Sequence, residues 1–151
     1  MKSYNSTKDT LEHIQKVHKF VSDIINNLLN TVSNHDNSKL IEPEKDIFDE
    51  YTPKLKDVTY GTVEYRQFLK EMKVGLDHHY VNNRHHPEHF KNGINDMTLI
   101  DILEMLCDWK AATLRHNDGD IHKSIVINSD RFQISDQLRN VICNTIESLG
   151  W

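Results

Sequence analysis

The stretch Met97-TLIDILEMLCDWKAATLR-His116 decides the fold class. Leu99, Ile102, Leu103 and Leu106 recur at three- and four-residue spacing, which predicts a helix. Met97, Ile100 and Ala112 make it apolar on its other sides as well, and a helix apolar nearly all round is a central one. Its acidic residues Asp101, Glu104 and Asp108 fall in one narrow stripe at i, i+3 and i+7. A buried carboxylate is costly unless it is paired or binds a metal. The other reading of the stripe is a solvated face.

Working outward, apolar residues keep helical spacing almost throughout. Thr10 to Val32 reads as a helix with the stripe Ile14, Val17, Val21, Ile24, Ile25 and Leu28, broken by Ser33-Asn34. His35 to Leu40 is a short helical piece, and Pro43 opens another that runs to Tyr51. Pro53 to Gly61 connects it to a long helix from Thr62 to Tyr80, with Tyr65, Phe68, Met72, Leu76 and His79 on one side. Asn82 to Gly93 is a polar loop or broken helix. Asp96 is the candidate N-cap of the central helix, and Asn117-Asp118-Gly119-Asp120 ends it. Residues 117–130 read as a loop, with Ser124 to Ile127 as an isolated apolar run. Ser135 caps a last helix to Leu149, followed by Gly150. The expectation is an all-α single domain over residues 1–151, with five to seven helices around one core. The site region spans residues 10–116, and the C-terminal helix spans residues 135–149. Phe132, Ile134, Leu138, Val141, Ile142 and Ile146 are its core-facing residues.

The formal net charge of 151 residues is -5, which argues against duplex nucleic acid as the main partner. Small anionic substrates stay open, because a metal supplies local positive charge. Two cysteines, Cys107 and Cys143, are too few for a disulfide scaffold or a thiolate zinc site and read as buried thiols. No apolar run reaches the ~18–20 residues of a membrane span. The polar Met1 to Thr10 has no signal-peptide core. A cytoplasmic protein is expected, with homo-oligomerisation open.

Histidine is the unusual residue. The chain has ten, five of them between His78 and His89. Histidine is the commonest metal ligand. His79 follows Leu76, Met72 and Phe68 on the inward side of its helix, while His78 is rotated away. His85 and His86 follow the helix end, where periodicity cannot place them. His13 and His18 flank the first apolar stripe about 140° apart, and periodicity does not choose between them.

The ordered set of His13, then His35-Asp36, then a later Asp resembles the H…HD…D signature of the HD-domain superfamily, all-helical metal-dependent phosphohydrolases. The segments His35-Asp36-Asn37-Ser38-Lys39, Asn83-Arg84-His85-His86-Pro87-Glu88-His89 and Glu104-Met105-Leu106-Cys107-Asp108-Trp109-Lys110-Ala111-Ala112 are similar to a small uncharacterised family of bacteria and phages. The likeness covers residues 10 to 116 and favours His13 over His18 and Asp108 over Asp101.

The resemblance implies a divalent transition ion (Mn, Fe, Co, Ni or Zn) held by His13, His35, Asp36 and Asp108. Some superfamily members hold two ions, and His79, His85 and His86 would then serve the second, with Asp36 as the bridge. Asp36 and Glu104 are the candidate catalytic carboxylates, with Asp101 as an alternative for orienting water. Lys39 and Arg84 are candidate phosphate contacts. The expected activity is hydrolysis of a small phosphate ester, a nucleotide above all. The alternatives are a di-iron oxygenase on the same scaffold and a non-catalytic module that binds a nucleotide or metal.

Overall fold

Helices make up all the regular structure in residues 4–56, 58, 62–115 and 119–151, the part of the chain that the computed structural model describes. Among these residues there are seven α-helices and no strand. They are α1 (Thr7–Val32), α2 (Glu44–Lys56), α3 (Val63–Glu71), α4 (Lys73–Asn82), α5 (Leu99–Thr113), α6 (Ile121–Phe132) and α7 (Asp136–Leu149). Short 3-10 turns stand at Asn37–Leu40, Pro87–His89 and Gly93–Asp96. The all-α expectation holds. The expected helix end at His116 and stop at Asn117-Asp118 lie outside the described residues, as does most of the connection from 57 to 61.

By its own contacts the chain divides into two units, residues 1–35 and 36–151. The first holds α1 alone, which starts three residues earlier than its apolar period suggests. The stripe from Ile14 to Leu28 therefore has no cover from within that unit.

In the second unit, α5 is the central element. Thr98 caps it: its hydroxyl accepts from the Asp101 backbone N–H, while the Asp101 carboxylate accepts from the Thr98 N–H. This reciprocal box satisfies two donors that a helix start leaves open. The expected cap, Asp96, instead ends the preceding 3-10 turn and accepts from Asn92. Ile102, Met105, Leu106 and Trp109 of α5 pack with Ile121 and Ile125 of α6, Ile134, and Ile142 and Ile146 of α7. Trp109 lies parallel to Phe132, with ring centroids 6.3 Å apart.

Several further expectations are corrected. Residues 121–130 are helix, not loop: Ile121, Ile125 and Ser129 are buried at helical spacing, and Asp120 caps the start. The long helix breaks at Met72, which ends α3 and begins α4. Cys107 is exposed, because the inward face of α5 belongs to Glu104 and Met105, and Cys143 on α7 is half-buried. Val141, expected in the core, is exposed as well. The helix expected from Pro43 to Tyr51 is α2, which runs on through Pro53 to Lys56.

Helix α2 packs on α4 through Gly75, where a Cβ would stand 3.1 Å from the Ile47 side chain. Among the described residues, two that are not glycine take left-handed backbone conformations, Asp36 (φ 58°) and Gln133 (φ 52°).

Candidate metal centre

Four side chains of the second unit converge between the start of that unit and the end of α4. One ligand atom from each of Asp36, His79, His85 and His86 lies within 4.8 Å of the others. His79 Nε2 is 2.9 Å from His86 Nε2 and 3.3 Å from Asp36 Oδ1. His85 Nε2 is 3.5 Å from the same Oδ1. Ligands ~2.0–2.2 Å from one ion stand roughly 2.9 to 3.6 Å apart, depending on the coordination angle. The spacing therefore fits a single ion between these atoms. Imidazole nitrogens with one carboxylate are a donor set for Zn, Fe, Co, Ni or Mn.

Each ligand has a local reason for its place. Asp36 sits in the left-handed region, which aspartate tolerates better than most residues. It turns the chain into the 3-10 segment that carries Ser38 and Lys39. His79 lies on the buried face of α4 and is 2% exposed. His85 and His86 lie in the turn after α4, which is fixed from several sides. Arg84 donates from Nε and Nη2 to the two oxygens of Asp101, both at 3.0 Å, and lies over the Phe90 ring. Pro87 is buried. His89 Nδ1 donates to the Tyr80 carbonyl, and Glu88 pairs with Arg131 of α6.

Carboxylates surround the cluster. Glu104 is buried on α5 with Oε1 3.2 Å from His85 Nδ1. Glu44, the first residue of α2, is fully buried and meets His78 and His79. Asp108 is half-buried and acts electrostatically on His86. Lys39 Nζ lies 2.6 Å from Asp36 Oδ2 and over the Phe48 ring. Four acidic groups around three imidazoles make a setting that favours a bound cation. Burial, with the adjacent His85 and His79 rings, pushes His86 down to about 3. The ring is thus neutral, as a metal ligand must be.

The residues expected from the sequence divide accordingly. Asp36, His79, His85 and His86 come together, with Lys39, Glu104 and Asp108 around them. Of the acidic stripe on α5, Asp101 and Glu104 are buried, so it is not a solvated face. Asp101 is taken up by Arg84 and Thr98. Burial alone would raise its carboxyl, but those hydrogen bonds outweigh it and hold it below the usual range. Two of the three guanidinium nitrogens of Arg84 are therefore engaged with Asp101. Glu104 faces the imidazole of His85 on the side away from Asp36, a position that orients a ligand. His13 and His35 belong to the first unit, His13 on α1 and His35 at its last position. Glu44, Ser38 and Asn83 were missed. Only the Pro43-Glu44 helix start pointed at that region, and it gave no sign that a charged residue there is buried.

A family model matches residues 2–148. The chain belongs to the DUF5662 family, a family of unknown function. No curated protein and no solved structure shows significant similarity to it. The matched region spans both units and includes the Asp36, His79, His85 and His86 cluster.

Proposed function

We propose that this DUF5662 chain is a metal-dependent hydrolase of small phosphate esters, with nucleotides as the first substrate class to test. The observation that carries the reading is the convergence of Asp36, His79, His85 and His86 at ligand spacing, with Lys39 on the outer oxygen of Asp36. A divalent ion bound there would acidify a water and polarise a phosphoryl oxygen. Asp36 and the three imidazoles would hold it. Asp108 is a further carboxylate for the ion, its water or a second ion. For His13 and His35 as additional ligands, the ground is the sequence resemblance. The Lys39 side chain is 28% exposed, with its ammonium on Asp36 Oδ2. A phosphate oxygen arriving beside Asp36 would find it within the swing of one flexible side chain.

The test has two parts. Elemental analysis of protein purified without chelator should give one or two transition ions per chain. The loaded protein should then release phosphate or nucleoside from a panel of nucleotides and simple phosphomonoesters, and Asp36→Asn should abolish release. Full metal occupancy with no turnover across the panel would reject the hydrolase reading and leave a binding protein.

A further inference from the structure

Glu44 is the most deeply buried charged residue described, with 0% exposure, and it has no assigned role. Its Oε1 is 2.7 Å from His78 Nδ1. Its Oε2 is 2.9 Å from His79 Nδ1 and accepts from the Ser38 hydroxyl at 3.0 Å. Asn83 completes the frame: its Nδ2 stands 3.0 Å from His79 Nδ1, but its two hydrogens are taken by the Ser38 oxygen and the His79 carbonyl, which leaves none for that ring nitrogen. An ionised carboxylate has only acceptors, so both Nδ1 atoms facing it carry hydrogen. A neutral imidazole with hydrogen on Nδ1 presents a lone pair on Nε2. His79 Nε2 is the atom that faces Asp36 Oδ1 and His86 Nε2. Glu44 therefore lies behind His79, on the ring edge away from the cluster.

We propose that Glu44 is a positioning residue that fixes the tautomer and ring direction of His79, and so makes its Nε2 a metal donor. The role rests on the metal-centre reading. It accounts for a fully buried carboxylate at a helix start that three donors satisfy and that no arginine or lysine pairs among the described residues. It also gives the His78-His79 doublet a division of labour: His79 is the ligand, and His78 covers the other oxygen of Glu44 from the partly exposed side. Glu104 stands behind His85 in the same way. Metal-ligating histidines commonly have such an outer carboxylate, and its loss typically weakens metal binding about 10–100-fold.

Glu44→Gln keeps the size but offers one acceptor and one donor in place of two acceptors. One of the two imidazoles must then accept at Nδ1 and carry its hydrogen on Nε2. Long-range proton–nitrogen spectra of the full-length, metal-free protein should show His79 with hydrogen on Nδ1, and Glu44→Gln should populate the other tautomer. Titration with Co²⁺ should show about 10–100-fold weaker binding in Glu44→Gln at unchanged stoichiometry. His78→Ala, which leaves the Glu44–His79 bond in place, should bind Co²⁺ close to wild type. His79 carrying hydrogen on Nε2 in the wild-type protein would overturn the proposal, and that measurement needs no variant to fold. Binding that requires Asp36 but is as tight in Glu44→Gln as in wild type would overturn the role of Glu44 alone. A wild-type chain that binds neither Co²⁺ nor Zn²⁺ would overturn the metal centre and this role with it.

Discussion

The two oxygens of Asp36 have different neighbours. Oδ2 faces Lys39, and Oδ1 faces His79 and His85. Asp36→Asn keeps the shape and suits the left-handed backbone, so the effect it shows is that of the charge. It should weaken binding of a divalent ion by more than about 100-fold, because loss of an outer partner already costs about 10–100-fold. Isothermal titration with Zn²⁺ would read this, and unchanged affinity would remove Asp36 from the ligand set. His86 gives a pH prediction. Its folded value of about 3 lies below the ordinary 6.5, so on acidification the unfolded chain takes up this proton first. The contribution to stability is whole above about pH 6.5 and is lost as the pH falls toward about 3. Urea midpoints of the metal-free protein at about pH 7 and about pH 5 should differ more in wild type than in His86→Gln. At this scale the inward face of α4 made His79 legible in the sequence, and clustering drew attention to His85 and His86. Glu44 was not legible: nothing local distinguishes a glutamate that three donors bury from one that water solvates.

At the scale of elements, the turn that carries His85 and His86 depends on α5. Asp101 is at once half of the capping box and the partner of Arg84. Arg84→Ala would leave that carboxylate buried with only its Thr98 contacts. It should cost roughly 1–3 kcal/mol in chemical denaturation and also loosen metal binding, because the residue adjoins His85. Affinity equal to wild type would show that the turn holds without the clamp. The α2–α4 contact is equally specific. At Gly75 a single Cβ would already stand 3.1 Å from Ile47, so Gly75→Val should overpack the interface and cost about 1–3 kcal/mol. The central helix was legible because its apolar positions are dense and continuous. Helix α6 was not, because Asn128, Ser129 and Asp130 follow the apolar residues and imitate a loop. What makes it a helix is the tertiary burial of Ile121 and Ile125 against α5 and α7. The break at Met72 was hidden for a related reason: Phe68, Met72 and His79 keep inward places across it, and Met72 itself keeps helical bonds back to Phe68 and on to Leu76, so the period runs on.

At the scale of the molecule, an ion held by Asp36, the α4 histidine and the following turn would tie three separate segments together. An ion that binds only the folded chain stabilises it by mass action, by about 2.7 kcal/mol at a hundredfold excess over the dissociation constant. Thermal unfolding of the wild-type protein should therefore shift upward with added Zn²⁺ and return on chelation, and Asp36→Asn should show neither change. Such coupling makes variants of the site prone to misfolding, which is where Gln133 becomes useful. It closes α6 in a left-handed conformation that a glutamine adopts only under strain. The substitution Gln133→Gly would relieve steric strain worth about 1–2 kcal/mol, against a chain-entropy loss of about 0.5–1 kcal/mol. The chain thus carries, between its last two helices and apart from the ligand residues, a reserve of recoverable stability. A Gln133→Gly background would serve as a sturdier host in which substitutions at the metal centre are judged by chemistry rather than by whether the protein survives them.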